Sequence, residues 1–334
     1  MTPARTVDND RAPALDMLRA VAILLITNSH LDAIYPDARA STGGAFGNAV
    51  FFFISGWGLA RGIGPTTRFA PWLLRRLSRI YLPLWLAVAL ITLIAPNHAA
   101  RHNLPWPQTR LWPTWYWFVS AIVLFYPPFF VLARRFGARG LATALLALVP
   151  VYFVFYLTTL DLTTESLEAS RFKWIFYAQM MLLGGWFAHR RSAPLPRPGI
   201  WLLASMAGFV AFKLGASAYG ALSWQWVVHA DVAIFTVSLY HVVVRWCQRA
   251  ATAHWQRAAA FLAGFAFEVY LVQELFNREP LIVDLGFPIN FFVFWLLCLP
   301  SAWLLSKAQH RLRWLGANLV RWARSDSATA RGRP

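Results

Sequence analysis

Ten apolar runs, most of them near the ~20 residues that a membrane-crossing helix needs, leave this 334-residue chain few folds to choose from. They lie near residues 15 to 34, 45 to 60, 72 to 95, 114 to 133, 140 to 158, 174 to 189, 199 to 218, 224 to 245, 258 to 277 and 287 to 306. At ~1.5 Å rise per residue, a run of that length covers the hydrocarbon core of a bilayer. The pattern predicts an all-α polytopic membrane protein with about ten transmembrane helices. The second and sixth runs are short, which suits tilted or partly buried helices. Hydrophobic residues make up 58% of the chain and charged residues 13%, too apolar a balance for a water-soluble domain.

A net charge of +17 raises the question of nucleic acid. The basic residues, however, fall in short clusters between apolar runs, where the positive-inside rule accounts for them. With a cytoplasmic N-terminus, the inside clusters are Arg5, Arg11 and Arg19; Arg61, Arg68, Arg75, Arg76 and Arg79; Arg134, Arg135 and Arg139; Arg190, Arg191 and Arg197; Arg245, Arg249 and Arg257; and Lys307 onward. The loops with Asp161, Glu165 and Glu168 and with Glu279 and Asp284 fall outside. Both termini are then cytoplasmic. The expected organisation is a segment 1–14, a transmembrane domain 15–307 and a basic tail 308–334. Cys247 and Cys298 lack metal-ligand spacing, so neither a zinc site nor a disulfide framework is expected.

Arg19 and His30 interrupt the first run. Eleven residues at 100° each return to within ~20° of the same face, ~16 Å further along the helix, so both side chains are placed to line one cavity. A charge within a membrane helix costs ~2.5–3.5 kcal/mol on the insertion scale and turns towards protein or water. Pairing of Arg19 with Asp16 is the plainer alternative. Ser55, Gly56 and Gly58 in the second run permit close helix packing. Arg76 and Arg79 share a face at the start of the third run beside Arg75, as a polyanion site requires; anchoring at the inner membrane surface explains them equally. Trp115, Tyr116 and Trp117 suit an interfacial aromatic belt or a sugar-stacking platform. Glu268 and Asp231 are carboxylates within apolar runs and so functional candidates.

Together these residues resemble the membrane-bound acyltransferase 3 family, bacterial O-acyltransferases of the stand-alone form. Arg19 and His30 fit its Arg-x10-His, Phe51, Phe52, Ser55 and Gly56 its FFxxSG, and Arg76 and Arg79 its RxxR, followed by Pro83. Two positions depart: Gln273 stands where relatives often have histidine, and Ala49 where many have aspartate.

The resemblance implies transfer of an acyl group, usually acetyl, from cytoplasmic acyl-CoA to a hydroxyl of an extracytoplasmic acceptor such as a surface polysaccharide. It places the protein in the bacterial cytoplasmic membrane, with acyl-CoA as co-substrate and no permanently bound cofactor. His30 and Arg19 would be catalytic, Arg75, Arg76, Arg79 and Ser55 would hold the donor, and Trp115, Trp117 and Glu268 would meet the acceptor. Histidine can act as a general base or form an acyl intermediate, and the sequence leaves both open. An ion-coupled transporter or flippase using Arg19, His30, Glu268 and Asp231 is the competing class.

Overall fold

The computed structural model describes residues 11–94, 116–160, 168, 170, 172–189, 194–219, 224–249 and 253–331. Among these, all regular structure is helical. The helices are α1 (Arg11–Asn28), α2 (Gly44–Arg61), α3 (Phe69–Ile94), α4 (Trp117–Thr159), α5 (Lys173–His189), α6 (Pro198–Tyr219), α7 (Trp226–Arg249), α8 (Ala253–Ala263), α9 (Ala266–Val272), α10 (Pro280–Val283) and α11 (Ile289–Arg331).

Six of them are long and apolar enough to cross a membrane, or seven if the bent pair α8–α9 is one span. Among the described residues the count of ten is therefore not reached, for local reasons. α1 carries Arg11, Asp16 and Arg19, and α5 has only 17 residues. α4 joins two of the expected runs across a break at Gly137, whose φ of 56° and ψ of −140° are far from helical. Phe125 and Val151 would stand ~39 Å apart on a straight helix, yet both line one apolar groove with Met181. The chain thus folds back at Gly137. Between α8 and α9 a break near Gly264 bends the path by 50°.

Outward-facing apolar side chains such as Leu93, Leu146, Leu157, Leu203 and Leu296 suit lipid contact rather than water. The helix α11 runs on to Arg331, so the segment expected as a tail from residue 308 is helical for most of its length.

The core is built around α2, which packs on α1, α5 and α7. Its glycines make this possible. A Cβ on Gly56 would stand 1.8 Å from the Met181 carbonyl oxygen, and one on Gly184 of α5 would stand 1.8 Å from the Phe53 carbonyl oxygen. The two backbones are in direct contact, as small residues allow when helices associate within a membrane. On its other side Gly47 meets the Ala22 carbonyl oxygen of α1, where a Cβ would sit 2.6 Å away. Phe52 and Phe53, both fully buried, fill the space beside these contacts by stacking on Tyr177 and packing on Phe187 and Tyr240.

Gly184→Ala is expected to force α2 and α5 apart at a cost of about 3 kcal/mol, seen as a lower thermal midpoint in detergent. Gly58→Ala, where a Cβ meets nothing within 4 Å, should leave that midpoint in place.

Candidate functional site

The antiparallel pairing of α1 and α2 defines two ends of the bundle. At one end, Arg19 of α1, Phe51, Ile54, Ser55, Gly58 and Leu59 of α2, Arg76 of α3 and Tyr126 of α4 line a cavity of about 130 Å³. Arg19 Nη1 donates to Asp16 Oδ1 at 2.7 Å, so the local ion pair forms and the side chain still borders the cavity. Arg75 and Arg79 are exposed on the same helix as Arg76 and outside the cavity lining.

α11 brings a further guanidinium here. Arg313 Nη2 donates to the Gln309 Oε1 at 3.0 Å and lies 3.4 Å from the Ser78 carbonyl oxygen, next to Arg79 in the sequence. Gln309 Nε2 in turn donates to Glu268 Oε1. Glu268 is 4% exposed, so its carboxylate is held by protein groups and is not directed at solvent. Arg313 Nε is buried without a hydrogen-bond partner.

At the opposite end, α1 stops at Asn28, earlier than the run to residue 34 suggests. The Asn28 amide donates to the carbonyls of Ala40 and Thr42 and accepts from the Tyr35 hydroxyl, tying down the turn that follows. His30 lies in that turn, its N–H donating to Thr27 O at 2.9 Å. Its Nδ1 is 3.3 Å from Glu274 Oε1. His30 is not part of the lining of the Arg19 cavity. Arg19 lies on α1 and His30 in the turn beyond its end, so the two stand at different ends of the bundle.

A third polar group lies where α4, α5 and α7 meet. His229, 3% exposed, is stacked on Phe176 and shares hydrogen bonds with Tyr152 at 2.9 Å through Nδ1 and with Glu168 at 3.3 Å through Nε2. Tyr177 donates to both Glu168 oxygens at 3.1 Å. The Lys173 ammonium, which also donates to the Glu168 carbonyl, sits 4.1 Å from the centroid of the Trp117 ring.

Beyond this geometry, a family model described as an acyltransferase domain matches residues 13–308. The chain belongs to the acyltransferase 3 family. No curated protein and no solved structure matches it. Membership makes the chain a multi-pass membrane acyltransferase.

Within this acyltransferase, Arg19, Ser55 and Arg76 line one cavity, and Arg75 and Arg79 lie on the same helix as Arg76 outside its lining. Glu268 lies with Gln309 and Arg313 rather than with Trp117. The Trp117 ring packs on Tyr177 and carries Lys173, so one of its faces is already occupied. Trp115 lies outside the described residues. Asp231 faces Gly208 on α6, away from the other candidates.

The sequence marks neither Gln309 nor the partners of Arg313 and Glu274. Arg313 looks like one more anchoring charge in a basic stretch, and Gln309 carries no charge to notice. Glu274 was visible as a carboxylate, without its partner.

His229→Leu should lower stability by about 1–3 kcal/mol by leaving the buried Tyr152 hydroxyl unpaired. Adding Tyr152→Phe should restore part of the loss, measured by thermal denaturation of both variants.

Proposed function

We propose that this membrane acyltransferase takes an acyl group, most simply acetyl, from acyl-CoA bound at the basic end and delivers it to a hydroxyl at the His30 end. The observation that carries this reading is the meeting of Arg19, Ser55 and Arg76, one residue from each of three separate motifs, in one cavity. Guanidiniums bind phosphate oxygens bidentately, and Arg75 and Arg79 on the helix of Arg76, with Arg313 near Arg79, add charge of the right sign at this end. On this reading the basic end faces the cytoplasm, where acyl-CoA is available, in line with the positive-inside rule. The acceptor is then extracytoplasmic, as for a surface or exopolysaccharide sugar or a lipid-linked glycan, and the membrane is the bacterial cytoplasmic membrane.

The donor arm has to traverse the helix length between the two ends, ~14 Å for the nine residues from Arg19 to Asn28. An extended pantetheine can do so. His30, with 40% of its side chain exposed, is accessible to an acceptor. As general base it would take the hydroxyl proton while the oxygen attacks the thioester carbonyl. Arg19 would orient the donor beneath it.

The broken helix α8–α9 beside the buried Glu268 favours the second reading, an ion-coupled transporter, because discontinuous helices are a feature of such proteins. Acetyl-CoA turnover by purified protein in nanodiscs separates the two.

For the transferase, His30→Ala should lose on the order of 10²- to 10⁴-fold in turnover while still binding CoA. Arg76→Ala should weaken CoA binding by about 10-fold or more, the worth of one charge-assisted hydrogen bond. A wild-type protein that neither binds nor consumes acyl-CoA would overturn the donor assignment.

A further inference from the structure

His30 is faced by a carboxylate that the motifs do not contain. Glu274 belongs to the 3-10 turn Gln273–Leu275 that extends α9, and its Oε1 stands 3.3 Å from His30 Nδ1. The carboxylate is the more enclosed partner, 16% exposed against 40% for the imidazole. A surface ion pair of chance would leave both ends in water.

Neighbouring contacts hold the two segments in register. Arg278 Nη2 donates to Asp32 Oδ2 at 3.0 Å, joining the residue four beyond Glu274 to the residue two beyond His30. Asn277 Nδ2 lies 3.5 Å from Glu274 Oε2. Tyr116 packs on Tyr270 and donates to the Leu271 carbonyl at 3.0 Å, fixing α9 from the side of α4. The Tyr116 and Tyr270 phenols both lie within electrostatic reach of Glu274. Among the described residues, these two phenols and the Asp32–Arg278 pair are charged or titratable groups near the pair.

Resting on the acyl-transfer reading, we infer that Glu274 is the positioning residue of His30. A carboxylate beside Nδ1 keeps the proton on that nitrogen and leaves the Nε2 lone pair for the acceptor. It also stabilises the imidazolium formed during the reaction.

The step balances without another reactant. The acceptor O–H proton moves to Nε2 as the oxygen bonds to the thioester carbonyl carbon. The C–S bond then breaks, and the departing CoA sulfur takes the proton from Nε2. Glu274 exchanges no proton with either substrate and touches neither of them.

Glu274→Gln, Glu274→Ala and Glu274→Asp in nanodiscs test this, each with kcat, donor KM and thermal midpoint measured beside wild type. Glu274→Gln keeps the volume and an acceptor oxygen but removes the charge. It should lower kcat by on the order of 10²-fold or more, with donor KM unchanged. Glu274→Asp should recover part of the activity lost in Glu274→Ala.

Carbethoxylation of His30 by diethyl pyrocarbonate, followed by mass spectrometry, gives a readout independent of substrate. It should be slower in Glu274→Gln than in wild type, whereas a carboxylate that only braces the fold would leave it unchanged. An active wild type with Glu274→Gln within about threefold of its kcat and equal carbethoxylation would overturn the positioning role and leave acyl transfer standing. A wild type that transfers no acyl group would overturn both.

Discussion

The contact between the backbones of α2 and α5 sets the spacing on which the rest of the bundle depends. With Gly56 against the Met181 carbonyl and Gly184 against the Phe53 carbonyl, neither helix can rotate or slide without a clash. Within a bilayer there is little hydrophobic drive between helices, so such close van der Waals contact has to supply the association. α2 is thereby fixed with one side on α5 and another on α1. The cavity lining follows from that: Ser55 and Gly58 lie towards Arg19 and Arg76 because Gly56 lies towards α5.

Among the described residues, three carboxylates inside the bundle, Glu268, Glu168 and Glu274, each belong to a separate polar group rather than to one continuous line. Glu268 is tied to Gln309 and through it to Arg313; Glu168 to His229, Tyr177 and Tyr152; Glu274 to His30. Each carboxylate has a donor or a cation beside it, as a low-dielectric interior demands. The first group adjoins the basic end and the last lies at the opposite end, so chemistry of opposite character is kept apart by the length of α1.

Much of this was legible from the sequence, and the failures have physical causes. The spacing of Arg19 and His30 rests on helical periodicity, and α1 does carry Arg19 inward. The periodicity failed only past Asn28, where a side chain that binds the carbonyls of Ala40 and Thr42 ends the helix. Apolar runs located the helices well, since burial in lipid and burial in protein ask for the same residues. They do not show that Gly137 folds one long segment back on itself. His30 with Glu274, and Ser78 with Arg313, are joined across most of the chain. No local pattern announces a pair of that kind.

The length of α11 bears on how deep the buried acid Glu268 lies. From Ile289 to Gln309 the helix rises ~30 Å, one hydrocarbon thickness. Ile289 faces outward as an exposed apolar side chain, while Lys307 and Arg311 follow near the other limit. Gln309 lies between these two charges, about one hydrocarbon thickness along the helix from Ile289. Glu268, bonded to it, shares that level. A residue in the middle of its own apolar run is thereby bonded to the charged stretch of a neighbouring helix.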